Sequence, residues 1–164
     1  MRGNGGRAVI AVVTMYALRF GLGGLLLVAG ILKLRDPAGF AVEIANFHLL
    51  PRISPYAAAI LPTTEILLGV GLVAFPRAWR RPAAVGALVL FGVFFVAVTS
   101  ALVRHINIAC GCFGGGEDAI SGLTVLRNLS LIAAAVLLLG LDHPRHESRW
   151  SHPHRRQEPG DLGG

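Results

Sequence analysis

The chain has 164 residues, of which 54% are apolar and only 15% are charged, and its mean hydropathy is +0.63. This composition excludes an ordinary soluble domain of this size, in which charged residues make up about a quarter of the chain. The net charge of +6 does not indicate a nucleic-acid partner, because the basic residues cluster between long stretches with almost no charge.

Four segments are long and apolar enough to cross a bilayer as helices, which takes about 20 residues. They are residues 9–34, 55–75, 83–103 and 120–141. Transmembrane strands are disfavoured, because the segments are too long and lack apolar–polar alternation. The sequence therefore predicts an all-α polytopic membrane protein, a four-transmembrane-helix bundle over residues 1–141 whose first partner is the lipid bilayer.

The first segment is predicted to be a retained membrane helix. Its apolar run far exceeds the roughly 7–15 residues of a signal-peptide core, and no Ala-x-Ala site follows it. Arg19 lies in its middle, and Lys33 lies at its outer end, where a lysine can extend to the headgroups. Four glycines in this segment indicate close helix packing: Gly21, Gly23, Gly24 and Gly30.

A short amphipathic helix is predicted after the first segment. Asp36 and Pro37 form an N-cap followed by a proline at the first helical position. Phe40, Ile44 and Phe47 follow at helical spacing. The helix lies on the outer surface as an interfacial connector or as a lid over the bundle.

The second segment carries a buried acid. Pro62 is expected to kink the helix. Glu65 lies at mid-membrane, where a carboxylate normally faces the bundle interior and has a partner. Counting about 1.5 Å per residue places Arg19 at the same depth, so a Glu65–Arg19 pair is predicted, with Arg127 of the fourth segment as the competing partner. A structural role for these charges and a functional one both remain open.

The third segment consists mainly of Ala, Val, Leu, Gly and Phe. Its aromatic residues are interpreted as lipid or core contacts rather than a cofactor site: Phe91, Phe94 and Phe95.

Residues 142–164 are rich in Arg, His, Pro and Gly, which predicts a disordered, basic, His-rich cytoplasmic tail. Nothing in the tail sequence enforces metal geometry, so no metal site is predicted from its histidines: His143, His146, His152 and His154.

The basic residues predict the topology. Nine flank one side of the predicted membrane and four flank the other: Arg2, Arg7, Arg77, Arg80, Arg81, Arg145, Arg149, Arg155 and Arg156 against Lys33, Arg35, Arg52 and Arg104. The positive-inside rule places both termini in the cytoplasm and the loop before the fourth segment outside.

That outer loop holds the chain's two cysteines, Cys110 and Cys112, separated by Gly111. Disulfides persist in extracytoplasmic compartments, and residues two apart can reach the Cα separation of about 4.4–6.8 Å that a disulfide needs. So small a ring stabilises a fold little and exchanges readily, which favours a redox dithiol over a structural staple. Zinc is disfavoured, because it needs about four ligands and only His105 could join the two cysteines.

Several stretches in order resemble one family. They are Ala29-Gly30-Ile31-Leu32-Lys33-Leu34, then Phe40, Asn46-Phe47 and Leu49-Leu50-Pro51, then Leu61-Pro62 with Glu65, and Cys110-Gly111-Cys112-Phe113-Gly114. Across residues 19–140 this pattern resembles the methylamine utilisation protein MauE and the wider DoxX-like group of four-helix membrane proteins.

The resemblance implies an inner-membrane protein that supports maturation of the disulfide-rich small subunit of methylamine dehydrogenase, beside a thioredoxin-like extracytoplasmic partner. Cys110 and Cys112 would be the redox dithiol of a thiol–disulfide oxidoreductase. No covalently bound cofactor is expected, and a membrane quinone is the candidate electron carrier. Lys33 is a candidate neighbour of the thiolate or of the quinone. A non-catalytic assembly or transport factor and a DoxX-like subunit of a quinol-oxidising complex are the alternatives.

Overall fold

A computed structural model describes residues 4–47, 53–104 and 122–142. Within these ranges the chain forms five helices and no strands: α1 (Asn4–Arg35), α2 (Pro37–Asn46), α3 (Ser54–Val73), α4 (Arg77–Val103) and α5 (Gly122–Leu141). Four of them, α1, α3, α4 and α5, are long and apolar enough to cross a membrane. The predicted class, an all-α polytopic membrane protein, is confirmed. Residues 143–164 of the predicted tail and both cysteines lie outside the described residues.

The outer surface of the bundle is apolar. Large hydrophobic side chains on all four long helices are more than half exposed, including Val12, Leu67, Val96 and Leu126. In water such a surface would drive association, whereas in a bilayer it faces lipid tails that are equally apolar. The exposed apolar surface and the four membrane-spanning helices therefore both indicate a multi-pass membrane protein.

Helices α1 and α3 form the closest pair, and glycine allows their approach. A Cβ added at Gly30 would lie 2.8 Å from the carbonyl oxygen of Pro62, and one at Gly69 would lie 2.8 Å from that of Gly23. The predicted role of glycine in close packing is confirmed at Gly23 and Gly30. It is wrong at Gly21 and Gly24, where an added Cβ would meet no atom of the described residues within 4 Å.

The remaining helices close the bundle around one core. Helix α4 packs on α5 and α3, and α5 returns to α1. The core is built from small and branched side chains at their meeting point, and its buried members include Leu26, Leu72, Ala87, Phe91, Ala135 and Leu138.

Helix α2 covers one end of the bundle. The Asp36 side chain accepts a hydrogen bond of 2.9 Å from the backbone N–H of Gly39, and Pro37 occupies the first turn, which confirms the predicted cap. Phe40 is buried, and α2 packs mainly on α3. Beyond its end, Phe47 packs against Val98 and Ala101 of α4. These contacts favour the lid over the simple connector. We call this end of the bundle the α2 end.

Candidate functional site

A buried ion pair lies beneath α2. Lys33 of α1 and Glu65 of α3 are 3% and 1% exposed, and the Lys33 ammonium donates a hydrogen bond to Oε1 of Glu65. Lysine side chains on a helix lean toward its N-terminus, which here directs Lys33 back into the bundle. The prediction that Lys33 extends to the headgroups is therefore wrong.

Two aromatic rings flank the Lys33 ammonium. Nζ lies 5.3 Å from the ring centroid of Phe40 on α2 and 5.0 Å from that of Phe94 on α4. Cation–π attraction at such distances stabilises a desolvated cation by about 2 kcal/mol. Phe94, predicted to be a lipid or core contact, is thus part of a charged site. Four elements hold the pair in place: α1, α2, α3 and α4.

The predicted pairing of Glu65 with Arg19 is wrong, since Arg19 lies at the other end of α3. Its Nη2 donates to the carbonyl oxygen of Val73 at 2.6 Å, and its Nε donates to that of Leu72. Both carbonyls belong to the last turn of α3, where the helix supplies no partner. Arg19 therefore closes the C-terminal end of α3, a structural role.

The estimate that Arg19 and Glu65 lie at the same depth failed because the N-terminal part of α1 extends well past the C-terminal end of α3. Helix α1 begins at Asn4, not at residue 9, and Gly23 already lies level with Gly69 and Val73 near the end of α3. Gly30 lies level with Pro62 and Ile66. In this register, Lys33 rather than Arg19 is the cation of α1 that Glu65 can reach.

A cavity adjoins the ion pair. It comprises about 350 Å³ of empty space, its open side included, and its enclosed part has room for about one water molecule. Arg127, predicted as the competing partner of Glu65, lines this cavity together with the buried Asn128. The other lining side chains are apolar: Leu25, Leu26, Ala29, Phe91, Phe94 and Leu131.

One oxygen of Glu65, a residue that lines this cavity, is left unsatisfied. Oε2 of Glu65 is buried and has no hydrogen-bond partner among the described residues, although Oε1 is held by Lys33. Asn128 donates from Nδ2 to the carbonyl oxygen of Thr124 at 3.0 Å. An unsatisfied buried carboxylate oxygen costs more than about 1–3 kcal/mol, so this atom indicates a missing polar neighbour.

A second carboxylate, that of Glu43, lies on the lid helix α2 itself. Glu43 of α2 is half-buried, and this burial raises its pKa, while the positive charge of Lys33 opposes the increase. Glu43 does not line the cavity beside the ion pair. A substitution of Glu43 therefore serves as a control for the same substitution of Glu65, since both remove a carboxylate close to Lys33.

Cys110 and Cys112 lie outside the described residues, but both flanks of their segment lie at the α2 end. At the end of α4, Nη1 of Arg104 donates to the carbonyl oxygen of Phe47 at 3.2 Å. At the start of α5, Val125 packs with Phe47 against Val98 and Ala101. The segment that carries the dithiol thus leaves and re-enters the bundle beside the lid over Lys33 and Glu65.

The parts of the chain that the structure describes contain no group of three His, Cys, Asp or Glu side chains able to hold a metal ion. His105 and the tail histidines lie outside those parts.

Comparison with known proteins identifies the family. The profile of the family Methylamine utilisation protein MauE matches residues 9–141, which include all four membrane-spanning helices except the first turns of α1. The chain belongs to the MauE family. Among curated relatives, Methylamine utilization protein MauE of Paracoccus denitrificans is 39% identical over 133 residues, 79% of this chain and 70% of that protein.

A second relative agrees with this assignment. Methylamine utilization protein MauE of Paracoccus versutus is 37% identical over 124 residues, which is 74% of this chain and 66% of that protein. No solved structure matches the chain at a significant level.

Sequence reasoning missed Asn128, Phe40 and Phe94 as neighbours of the ion pair in this MauE-family chain. One signal was available for Asn128, the only Asn or Gln in the predicted fourth segment. An amide within a membrane span normally faces the bundle interior. Nothing in the sequence distinguishes Phe94 from the neighbouring Phe95.

Proposed function

We propose that the chain serves methylamine utilisation, the role that the names of both curated relatives state for those proteins. Its task is the oxidative maturation of an exported, disulfide-rich client such as the small subunit of methylamine dehydrogenase. The chain acts in the cytoplasmic membrane through Cys110 and Cys112 and works beside a thioredoxin-like extracytoplasmic protein.

The chemistry is thiol–disulfide exchange. In the oxidised chain, Cys110 and Cys112 form a disulfide. A thiolate of the thioredoxin-like partner attacks one sulfur and forms a mixed disulfide, and the partner's second thiolate then displaces the cysteine. Two electrons and two protons pass from the partner's dithiol to the chain. Transfer of the same two electrons and two protons to a membrane quinone yields quinol and regenerates the disulfide.

The observation that carries the proposal is where the segment with both cysteines joins the described helices. The chain's only two cysteines lie in one segment, separated by a single glycine. Both flanks of that segment lie at the α2 end, beside the buried Lys33–Glu65 pair. A disulfide that closes so small a ring stabilises a fold little, so exchange chemistry explains its presence better than stability does.

Single-cysteine variants test the exchange. With Cys112→Ala or Cys110→Ala, the remaining thiolate can open a partner disulfide, but no second cysteine resolves the product. At least one variant is expected to accumulate a covalent adduct with the thioredoxin-like protein, detected on non-reducing gels and released by dithiothreitol. The Cys110→Ala, Cys112→Ala double variant is the control. Absence of an adduct in both single variants would contradict the exchange mechanism.

The topology is a separate part of the proposal, supported by nine basic residues on one side against four on the other. The α2 end would then face the extracytoplasmic side. A membrane-impermeant maleimide is expected to label reduced Cys110 and Cys112 in intact spheroplasts. The Cys110→Ala, Cys112→Ala variant sets the labelling background. Labelling only after lysis would reverse the orientation.

A further inference from the structure

The cavity beside the ion pair has the features of a ligand site. It lies within the membrane-spanning helices, yet three of its lining side chains are polar and buried: Lys33, Glu65 and Asn128. Polar groups at this depth are costly and usually mark functional positions. Oε2 of Glu65 is buried and unsatisfied, and Glu65 lines this cavity, whose enclosed part admits about one water-sized atom. The site therefore has room for one polar atom of a ligand.

The donor and the acceptor in this cavity lie side by side. The Lys33 ammonium has three N–H donors, one of which is used by Oε1 of Glu65. Oε2 of Glu65 is an acceptor. A carbonyl oxygen can accept from Lys33, and a hydroxyl in the same place can donate to Glu65. The arrangement thus fits a group that alternates between carbonyl and hydroxyl.

The rest of the cavity suits a ring that arrives from lipid. Phe91 and Phe94 supply aromatic walls. We infer that the cavity opens toward the bilayer, because its lining residues that are not fully buried all lie on membrane-spanning helices: Leu25, Phe94, Arg127 and Leu131. An oxygen would occupy the enclosed part, and the ring that bears it would occupy the open part.

We propose that this cavity binds the head group of a membrane quinone, with one ring oxygen between Lys33 and Glu65. This inference rests on the proposed function and names the place where its electrons leave the chain. The dithiol of Cys110 and Cys112 becomes a disulfide and gives up two electrons and two protons. The quinone takes both electrons and both protons and becomes quinol, with Glu65 accepting a hydrogen bond from the new hydroxyl.

Binding of a soluble quinone to the full-length protein tests the site. The probe is ubiquinone with a single isoprene unit, titrated into purified protein in lipid nanodiscs and followed by calorimetry. We expect saturable binding by the wild type, and a loss of at least tenfold in affinity in Lys33→Met and Glu65→Gln. Glu43→Gln, which alters a carboxylate of α2 outside the cavity, is the matched control and should bind within twofold of the wild type.

A second variant leaves the ion pair intact. Leu131→Trp fills the cavity from its half-buried edge on α5, whereas Leu137→Trp places the same side chain on the lipid-facing surface of that helix. Leu131→Trp should abolish binding and Leu137→Trp should not. The proposal is overturned if the wild type shows no saturable binding, or if Leu131→Trp binds as well as Leu137→Trp.

Failure of this site and failure of the proposed function are distinguishable. Quinone binding does not require the thiols, so the Cys110→Ser, Cys112→Ser variant should bind the probe like the wild type. Binding without any mixed disulfide in the single-cysteine variants would retain the site and reject the exchange. A mixed disulfide without quinone binding would retain the exchange and reject the site.

Discussion

Lys33→Met and Glu65→Leu should each destabilise the protein by about 3–5 kcal/mol, the usual cost of leaving one member of a buried ion pair alone. Both side chains are almost fully buried, so bulk water cannot solvate the charge that is left unpaired. The double variant Lys33→Met, Glu65→Leu should recover most of this loss, because replacing a whole buried pair by apolar residues is often neutral. The double-mutant cycle isolates the coupling between the two charges.

Thermal unfolding of the purified variants in one detergent measures this cycle. Glu43→Gln is the matched control, since Glu43 lies within the field of Lys33 but is only half-buried. It should change stability by less than about 1 kcal/mol. The reversed pair, Lys33→Glu with Glu65→Lys, should be more stable than either of its single changes. Additive losses in the double variant would contradict a direct interaction between Lys33 and Glu65.

The four membrane-spanning helices and the all-α class could be predicted because the bilayer determines both the length and the composition of a helix that crosses it. Each long helix needs about 20 apolar residues, and no competing pattern of alternation is present. The α2 cap could be predicted for a similar reason, since Asp36 and Pro37 act only on their own first turn. Features that depend on residues close in sequence or on the surrounding bilayer can thus be predicted from a single sequence.

The partner of Glu65 could not be predicted, because it depends on the vertical offset between α1 and α3. That offset is set by the close approach of Gly23 to Gly69 and of Gly30 to Pro62, not by where the apolar run begins. Counting from residue 9 therefore chose Arg19 as the partner and left Lys33 at the headgroups. The neighbours Phe40 and Asn128 depend in the same way on how separate helices rotate about their axes, which a uniformly apolar sequence does not specify.

The Cys110→Ser, Cys112→Ser variant should abolish client maturation while the chain itself still accumulates. Closing a ring of about three residues removes little entropy from the unfolded chain, so loss of the disulfide should cost less than about 2 kcal/mol. The described helices hold the bundle together through contacts that involve neither cysteine. This variant should therefore lose thiol–disulfide exchange while the chain keeps nearly all of its stability.

The measurement follows three quantities in the same cells: the amount of the chain in membranes, the disulfide state of the exported client, and the amount of an exported protein without disulfides. We expect the first and third to stay near wild-type levels and client disulfides to be lost. Each single Cys→Ser variant should show the same loss, since exchange needs an attacking and a resolving thiol. Full client maturation in the double variant would favour a non-catalytic assembly or transport factor. Loss of the chain from membranes would instead identify the disulfide as a structural staple.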